Sequence, residues 1–296
     1  MDRGRVFSNT QGAIVSRTSS KLLSLIILPS LLLVSFSRPL LAEEPAKKPP
    51  VVGACGDVPA EMACVSGGVF IRGDDSGPKN ERPQATVFVN TFLIDKYEVT
   101  AFDYNACVKV KKCARARTNY RGFSRPRQPK LGVSWFQARA YCRAQGKRLP
   151  TEAEWEKAAR GPKGERYPWG NQKATCSLAV IKDRPKNGCG TKKTFAVASR
   201  PAGRYGLYDM AGNAWEWVAD WYAKSYQLCG AACMGPDPKG PCAGADRCKG
   251  YTKKIVKGGS WYWPAGDARG ARRRPHRPSN KPYHHFGFRC AKNAAK

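Results

Sequence analysis

Twelve cysteines, every one of them downstream of residue 42, constrain this chain more than any other feature. What precedes them decides their chemistry. Arg3, Arg5, Arg17 and Lys21 give a basic start, and Leu22 to Ser37 is an apolar run of 16 residues. Leu41-Ala42 then leads into a polar segment from Glu43. That order reads as a cleaved export signal over residues 1–42, because the run is short for a membrane span and closes on a small residue. An uncleaved anchor is the alternative. An even cysteine count in an exported chain reads as disulfides. Short spacings point to Cys55–Cys64, Cys107–Cys113 and Cys176–Cys189. Cys229, Cys233, Cys242 and Cys248 leave two readings open, further disulfides or a zinc site. Their spacings are wider than the Cys-x-x-Cys pairs that zinc favours.

Residues 43–63 are rich in Pro and Lys and read as a linker. The mature stretch from residue 43 holds 47 Lys and Arg against 21 Asp and Glu, a formal charge of +26. Such a surface attracts polyanions, or serves solubility alone. No later segment is apolar enough to span a membrane. The chain carries no phosphate-binding glycine loop, no Gly-x-Ser-x-Gly elbow and no His-Glu-x-x-His zinc helix, which sets aside three common enzyme classes.

Short strands and a few helices alternate. Residues 65–73 read as a strand entered through a glycine turn, and 82–98 as a strand with apolar residues at Val87 and Val89 and, after a shift, Phe92 and Ile94. Three helix starts carry reciprocal cap pairs: Thr100 with Asp103, Ser134 with Gln137, and Thr151 with Glu154. Gly146 and Gly161 stop the last two. Trp155, Ala158 and Ala159 form the buried face of the third, and Glu152, Glu154 and Glu156 read as structural. Residues 161–205 and 225–250 read as long loops stapled by disulfide.

Eight phrases then stand in a telling order. They include Val65-Ser66-Gly67-Gly68-Val69-Phe70, Tyr97-Glu98-Val99-Thr100, Gly146-Lys147-Arg148-Leu149-Pro150-Thr151 and Tyr167-Pro168-Trp169-Gly170-Asn171. The series ends with Gly206 to Trp217 (GLYDMAGNAWEW), Gly258-Gly259-Ser260-Trp261 and Gly287-Phe288-Arg289-Cys290. Over residues 64–292 the chain resembles the formylglycine-generating enzyme (sulfatase-modifying factor) family. The resemblance implies an α+β fold, the family's irregular, loop-rich variant of the C-type-lectin-like fold, as a single domain over 64–292. It also implies a long-range disulfide between Cys142 and Cys290.

The family implies metals too. A calcium site around the Gly-Asn-x-Trp-Glu-Trp loop carries over to the carboxylates of Asp209 and Glu216 and the carbonyls of Gly212 and Ala214, oxygen ligands of the kind calcium takes. A second calcium site, which needs an Asn, matches a segment that here begins Cys176-Ser177-Leu178-Ala179. The family's copper is held by two cysteine thiolates in the stretch after Gly-Gly-Ser, a soft pair suited to Cu(I). Aligned from Gly-Gly-Ser, those positions fall on Trp263 and Ala268, and no cysteine lies between Cys248 and Cys290. Copper is therefore not expected. His276, His284 and His285, the chain's three histidines, read as surface residues of a basic loop, with an alternative metal site as the competing idea.

Where the family lines its substrate groove, this chain places Trp261, Trp263, Arg272, Arg273, Arg274 and His276. They are the candidate ligand-binding residues, suited to an anionic ring such as a sulfated or phosphorylated glycan. Equally open is that some of these arginines pair with Asp267 and other acids while the aromatics are core. The resulting expectation is an exported protein, periplasmic or secreted, that acts as a calcium-stabilised binding or accessory module and has no assigned catalytic residue. A sulfatase is a conceivable partner. The alternative is a metal-dependent oxidase of the formylglycine-generating type with altered ligands.

Overall fold

Residues 52–279 and 284–294 are described by the computed structural model; the segment read as an export signal, and with it the question of cleavage or anchoring, lies outside them. The apolar alternation that shifts phase between Val89 and Phe92 becomes two strands in two sheets. Strand β1 (Met62–Val65) pairs antiparallel with β4 (Phe92–Asp95). Strand β2 (Gly68–Arg72) pairs with β3 (Ala85–Val89). The phase shift is thus where the chain crosses from one sheet to the other. β1 begins two residues before Cys64, and Cys55 is tied to that cysteine.

Three helices follow. Helix α1 (Ala101–Lys109) starts at Thr100, whose Oγ1 accepts from the Asp103 N–H at 3.1 Å. The return half of the expected box is missing: the Thr100 hydroxyl instead donates to Asp103 Oδ2 at 2.5 Å. Aspartate is one methylene shorter than the glutamate or glutamine that normally reaches back. Helices α2 (Trp135–Ala144) and α3 (Glu152–Arg160) have complete capping boxes, Ser134 with Gln137 and Thr151 with Glu154. Gly146 and Gly161 follow them with φ of 66° and 67°, the left-handed conformation that glycine takes at no steric cost.

Strand β5 (Trp215–Trp221) is an inner strand of a four-stranded sheet. It pairs antiparallel with β6 (Lys254–Lys257) and parallel with β8 (Phe286–Gly287), while β7 (Arg274–His276) flanks β6. Both faces of β5 are covered. Trp215 and Trp217 enter a core with Tyr104, Trp135, Phe288 and the Cys142–Cys290 bridge. Val218 enters a second core with Phe70, Phe92, Trp155 and Ile255. Two short helices, α4 (Tyr226–Cys229) and α5 (Ala231–Met234), open the loop between β5 and β6, and β9 (Ala291–Asn293) completes the first sheet beside β4.

The cysteines form six disulfides and none is free. The three short bridges expected from spacing are present, and so is Cys142–Cys290. The four cysteines left open pair as Cys229–Cys233 and Cys242–Cys248, which uses up the sulfurs a zinc site needs. No helix among the described residues is long and apolar enough to cross a membrane.

Candidate functional site

The Gly-Gly-Ser turn positions everything around it. Gly258 and Gly259 have φ of 90° and 78°, and a Cβ on Gly259 would lie 2.8 Å from the Ala268 Cα. Ala268 itself is fully buried. Trp261 packs inward: its N–H donates to the Asn213 carbonyl at 3.0 Å, its indole donates to the His284 carbonyl at 3.0 Å, and its ring lies 5.2 Å from Phe123. The candidate ligand residue Trp261 is therefore a core residue. The next residue, Tyr262, is exposed and Trp263 is half-buried, because the chain turns here, with the Trp263 N–H donating to the Ser260 carbonyl at 3.0 Å.

Burial sorts the three consecutive arginines, of which only the middle one is fully covered. Arg272 donates to Asp267 at 2.9 Å and sits 3.4 Å from Glu81. Arg273 is fully buried, donating to both oxygens of Glu152 at 2.6 and 3.1 Å and lying over the Tyr226 ring at 4.3 Å. Arg273 is therefore closed to a ligand, since its burial without a carboxylate would be prohibitive, and the half-buried Arg272 is already paired with two carboxylates. Arg274 differs. Its guanidinium lies 4.5 Å over Trp263 and 5.8 Å from the Trp215 ring, and among the described residues no carboxylate pairs with it. Burial draws its pKa down, the charge of Asp267 opposes that fall, and Arg272 adds to it. Lys182 adds a second cation, 5.8 Å over the Tyr262 ring.

The histidines are not simple surface residues. His284 and His285 have ring centroids 4.0 Å apart and pack among Tyr120, Trp261, Tyr262 and Trp263. Burial, then His284 and Arg274, hold the His285 pKa down to about 3. His276 lies elsewhere, 4.5 Å from Phe286 and 6.0 Å from Trp217, with its pKa also lowered by burial. Among the described residues no three His, Cys, Asp or Glu side chains are placed to hold a metal ion together.

The loop before β5 gathers three buried carboxyls around one guanidinium. Glu216 accepts from Arg289 Nε and Nη2, both at 2.7 Å, and from the Trp155 indole at 2.8 Å. Glu98 accepts from the Ala214 N–H at 2.9 Å and from Asn213 Nδ2 at 2.6 Å. Asp209, at φ 56°, accepts from the Ala198 N–H at 2.8 Å. Burial, then the charges of Asp209 and Glu216, push Glu98 well above the usual carboxylate range, and Asp209 is raised to about 6, chiefly by burial. The two raised carboxyls show that Arg289 offsets only part of the repulsion within this group. The ligand set is narrower than the resemblance implied, since Glu216 is committed to Arg289 and Trp155. What remains for a cation is Asp209 with the Gly212 and Ala214 carbonyls, short of the six to eight oxygens that calcium takes unless solvent completes the shell.

A family model described as "Sulfatase-modifying factor enzyme 1-like domain" matches residues 51–294. The chain belongs to that family. It is 32% identical to a formylglycine-generating enzyme of Thermomonospora curvata, over 78% of this chain and 92% of the relative. It is 30% identical to an inactive C-alpha-formylglycine-generating enzyme 2 of Bos taurus, over 79% of this chain and 89% of the relative. It is also 34% identical, over 85% of its length, to a protein of Chlamydia pneumoniae named serine/threonine-protein kinase pkn1, of whose length it spans 39%. Among solved structures, PvdO from Pseudomonas aeruginosa superposes with a TM-score of 0.64 at 28% identity, covering 84% of this chain and all of that one.

On this sulfatase-modifying factor domain, a cleft of about 940 Å³ lies away from Trp263. It is walled by α2, the Arg148–Thr151 turn and the disulfide-stapled loop, with Trp135, Leu149 and Ala219 among its apolar residues. Its charges are largely matched internally: Arg148 with Glu154 at 2.6 Å, Lys239 with Asp237 at 3.8 Å, and Arg139 with Asp246. Sequence reasoning missed this cleft, because its walls come from segments more than 100 residues apart. It also missed Glu98 and Arg289, although both sit in phrases that carry the resemblance.

Proposed function

We propose that this chain is an exported binding or accessory module, periplasmic or secreted, that holds an anionic ring-containing ligand at the face formed by Trp263 and Arg274. The observation that carries this reading is Arg274: a guanidinium stacked on an indole, with no carboxylate partner among the described residues. Stacking fixes the plane of the guanidinium and leaves its N–H fork for a sulfate or phosphate. Six disulfides support an oxidising compartment. Titration with a sulfated disaccharide at low salt should show saturable binding, weakened roughly 10- to 100-fold by Arg274→Ala. Equal affinity of the two proteins, or no saturable binding at all, defeats the assignment. Formylglycine formation on a sulfatase-derived cysteine peptide, with Cu(I) and oxygen supplied, would support the oxidase alternative instead.

Calcium belongs to the same proposal as a stabiliser, held by Asp209 and the Gly212 and Ala214 carbonyls beside Glu216. Calcium at 100 times its Kd should add about 2.7 kcal/mol to the unfolding free energy of EGTA-treated protein. Asp209→Ala should abolish that gain. A melting temperature indifferent to both EGTA and calcium removes calcium from the account.

A further inference from the structure

The net charge has a location. Between Asp103 and Glu152 the chain contains no acidic residue at all, and the segment between α1 and α2 is its most cationic part. Arg115, Arg117, Arg121, Arg125 and Arg127 are all exposed there. Lys109, Lys111 and Lys112, also exposed, continue the series from the end of α1. Elsewhere the fold spends its carboxylates on arginines: Arg72 and Arg273 on Glu152, Arg160 on Glu156, Arg269 on Glu81 and Arg289 on Glu216. Among the described residues none of the eight exposed cations pairs with a carboxylate.

The loop that carries them is nonetheless tightly held, by neutral side chains, one disulfide and one buried lysine. Gln128 donates to the carbonyls of Gly122 and Thr194, at 3.1 and 2.8 Å, and accepts from the Arg125 N–H at 2.9 Å. Gln137 donates to the Arg115 carbonyl at 2.9 Å, and Tyr104 to the Ala114 carbonyl at 2.9 Å. The buried Lys130 donates to the Ala116 carbonyl at 2.7 Å, and the Cys107–Cys113 bridge fixes the loop's start. A set of like charges is thus carried on a fixed loop, and no carboxylate among the described residues pairs with it. Lys193 lies against Gly122 and, with Arg125 and Arg127, lines a cavity of about 580 Å³.

We infer that this loop is a docking surface for a linear sulfated polysaccharide. Ordered, unneutralised arginines release counterions and form bidentate contacts when a polyanion supplies the missing charge. The disulfides favour a glycan over a nucleic acid, because they belong to oxidising compartments outside the cytosol and nucleus. The inference extends the anion-binding reading above but rests on other residues. Tyr120 on the loop is 3.7 Å from the His284 ring, which in turn meets Trp261, so loop and Trp263 face adjoin.

The test measures affinity of the chain for labelled heparin oligosaccharides of increasing length. Wild type should bind a dodecasaccharide well above a disaccharide. The combined variant R115Q, R117Q, R125Q and R127Q should lose about 30-fold or more on the dodecasaccharide, and its slope of log affinity against log salt should fall by about 3. Its disaccharide binding, which reads the Arg274 face, should be unchanged. A control variant K163Q, K173Q, K224Q and K249Q removes the same charge from exposed positions elsewhere. Equal losses in the two variants overturn the site, leaving net charge alone. Tighter binding of duplex DNA than of the dodecasaccharide overturns the partner class. Loss of disaccharide binding on Arg274→Ala alone, with the length increment intact, separates the two faces.

Discussion

Replacing Cys142 and Cys290 together by alanine should lower the unfolding free energy by about 5 kcal/mol, the largest loss from any of the six bridges. The half-cystines are 148 residues apart, and cross-linking stabilises chiefly by removing conformations from the unfolded chain, more so for longer loops. The Cys229–Cys233 bridge, with a separation of four, is worth about 2 kcal/mol on the same reckoning. A domain of this size holds about 5–15 kcal/mol in all. Urea unfolding of the double variant against wild type measures the loss. A shift no greater than that of Cys229→Ala with Cys233→Ala would show that Cys142–Cys290 closes a loop already restrained in the unfolded state.

Glu152→Gln should cost about 3–5 kcal/mol although it changes one atom. Glu152 is fully buried beneath α3 and is shared by Arg72 at 2.7 Å, Arg273 at 2.6 Å and Lys257 at 3.6 Å. Removing its charge leaves buried Arg72 and Arg273 without a paired carboxylate, while Lys257 keeps Glu156 at 3.1 Å. Beside it Glu156 is also fully buried; burial alone would raise its pKa, yet Lys257 and Arg160 bring it down to about 2. The pair sits within one network, so single losses do not add. Combining E152Q with R273M should recover 1 kcal/mol or more of the loss, on the order of a typical coupling between partners in one network. Strict additivity in that double-mutant cycle would mean the two side chains do not act on each other.

Local signals were legible and distant ones were not. Ser134 with Gln137 and Thr151 with Glu154 could be read because a cap needs only residues three apart. The short disulfides were legible for the same reason. Cys142–Cys290 came from the family resemblance, since nothing local connects residues so far apart. Glu152 and Glu156 read only as structural; that they are buried depends on Arg273, 121 residues from Glu152, packing over α3. Arg272, Arg273 and Arg274 could not be told apart, because the proline-rich stretch around them offers no apolar period to set which face turns inward. Trp261 and Trp263 posed the same problem, and only the contacts of Trp261 with Asn213 and His284 resolve it.

Strand β5 has a consequence for how this domain comes apart. Its tryptophans are walls of one core and its Val218 is part of the other. A wall common to two rooms cannot fall for one alone. Loosening either core withdraws packing from the strand that supports its neighbour, so heat should melt the folded region in one calorimetric step, and amide exchange along Trp215–Trp221 should report the global opening rather than any local one.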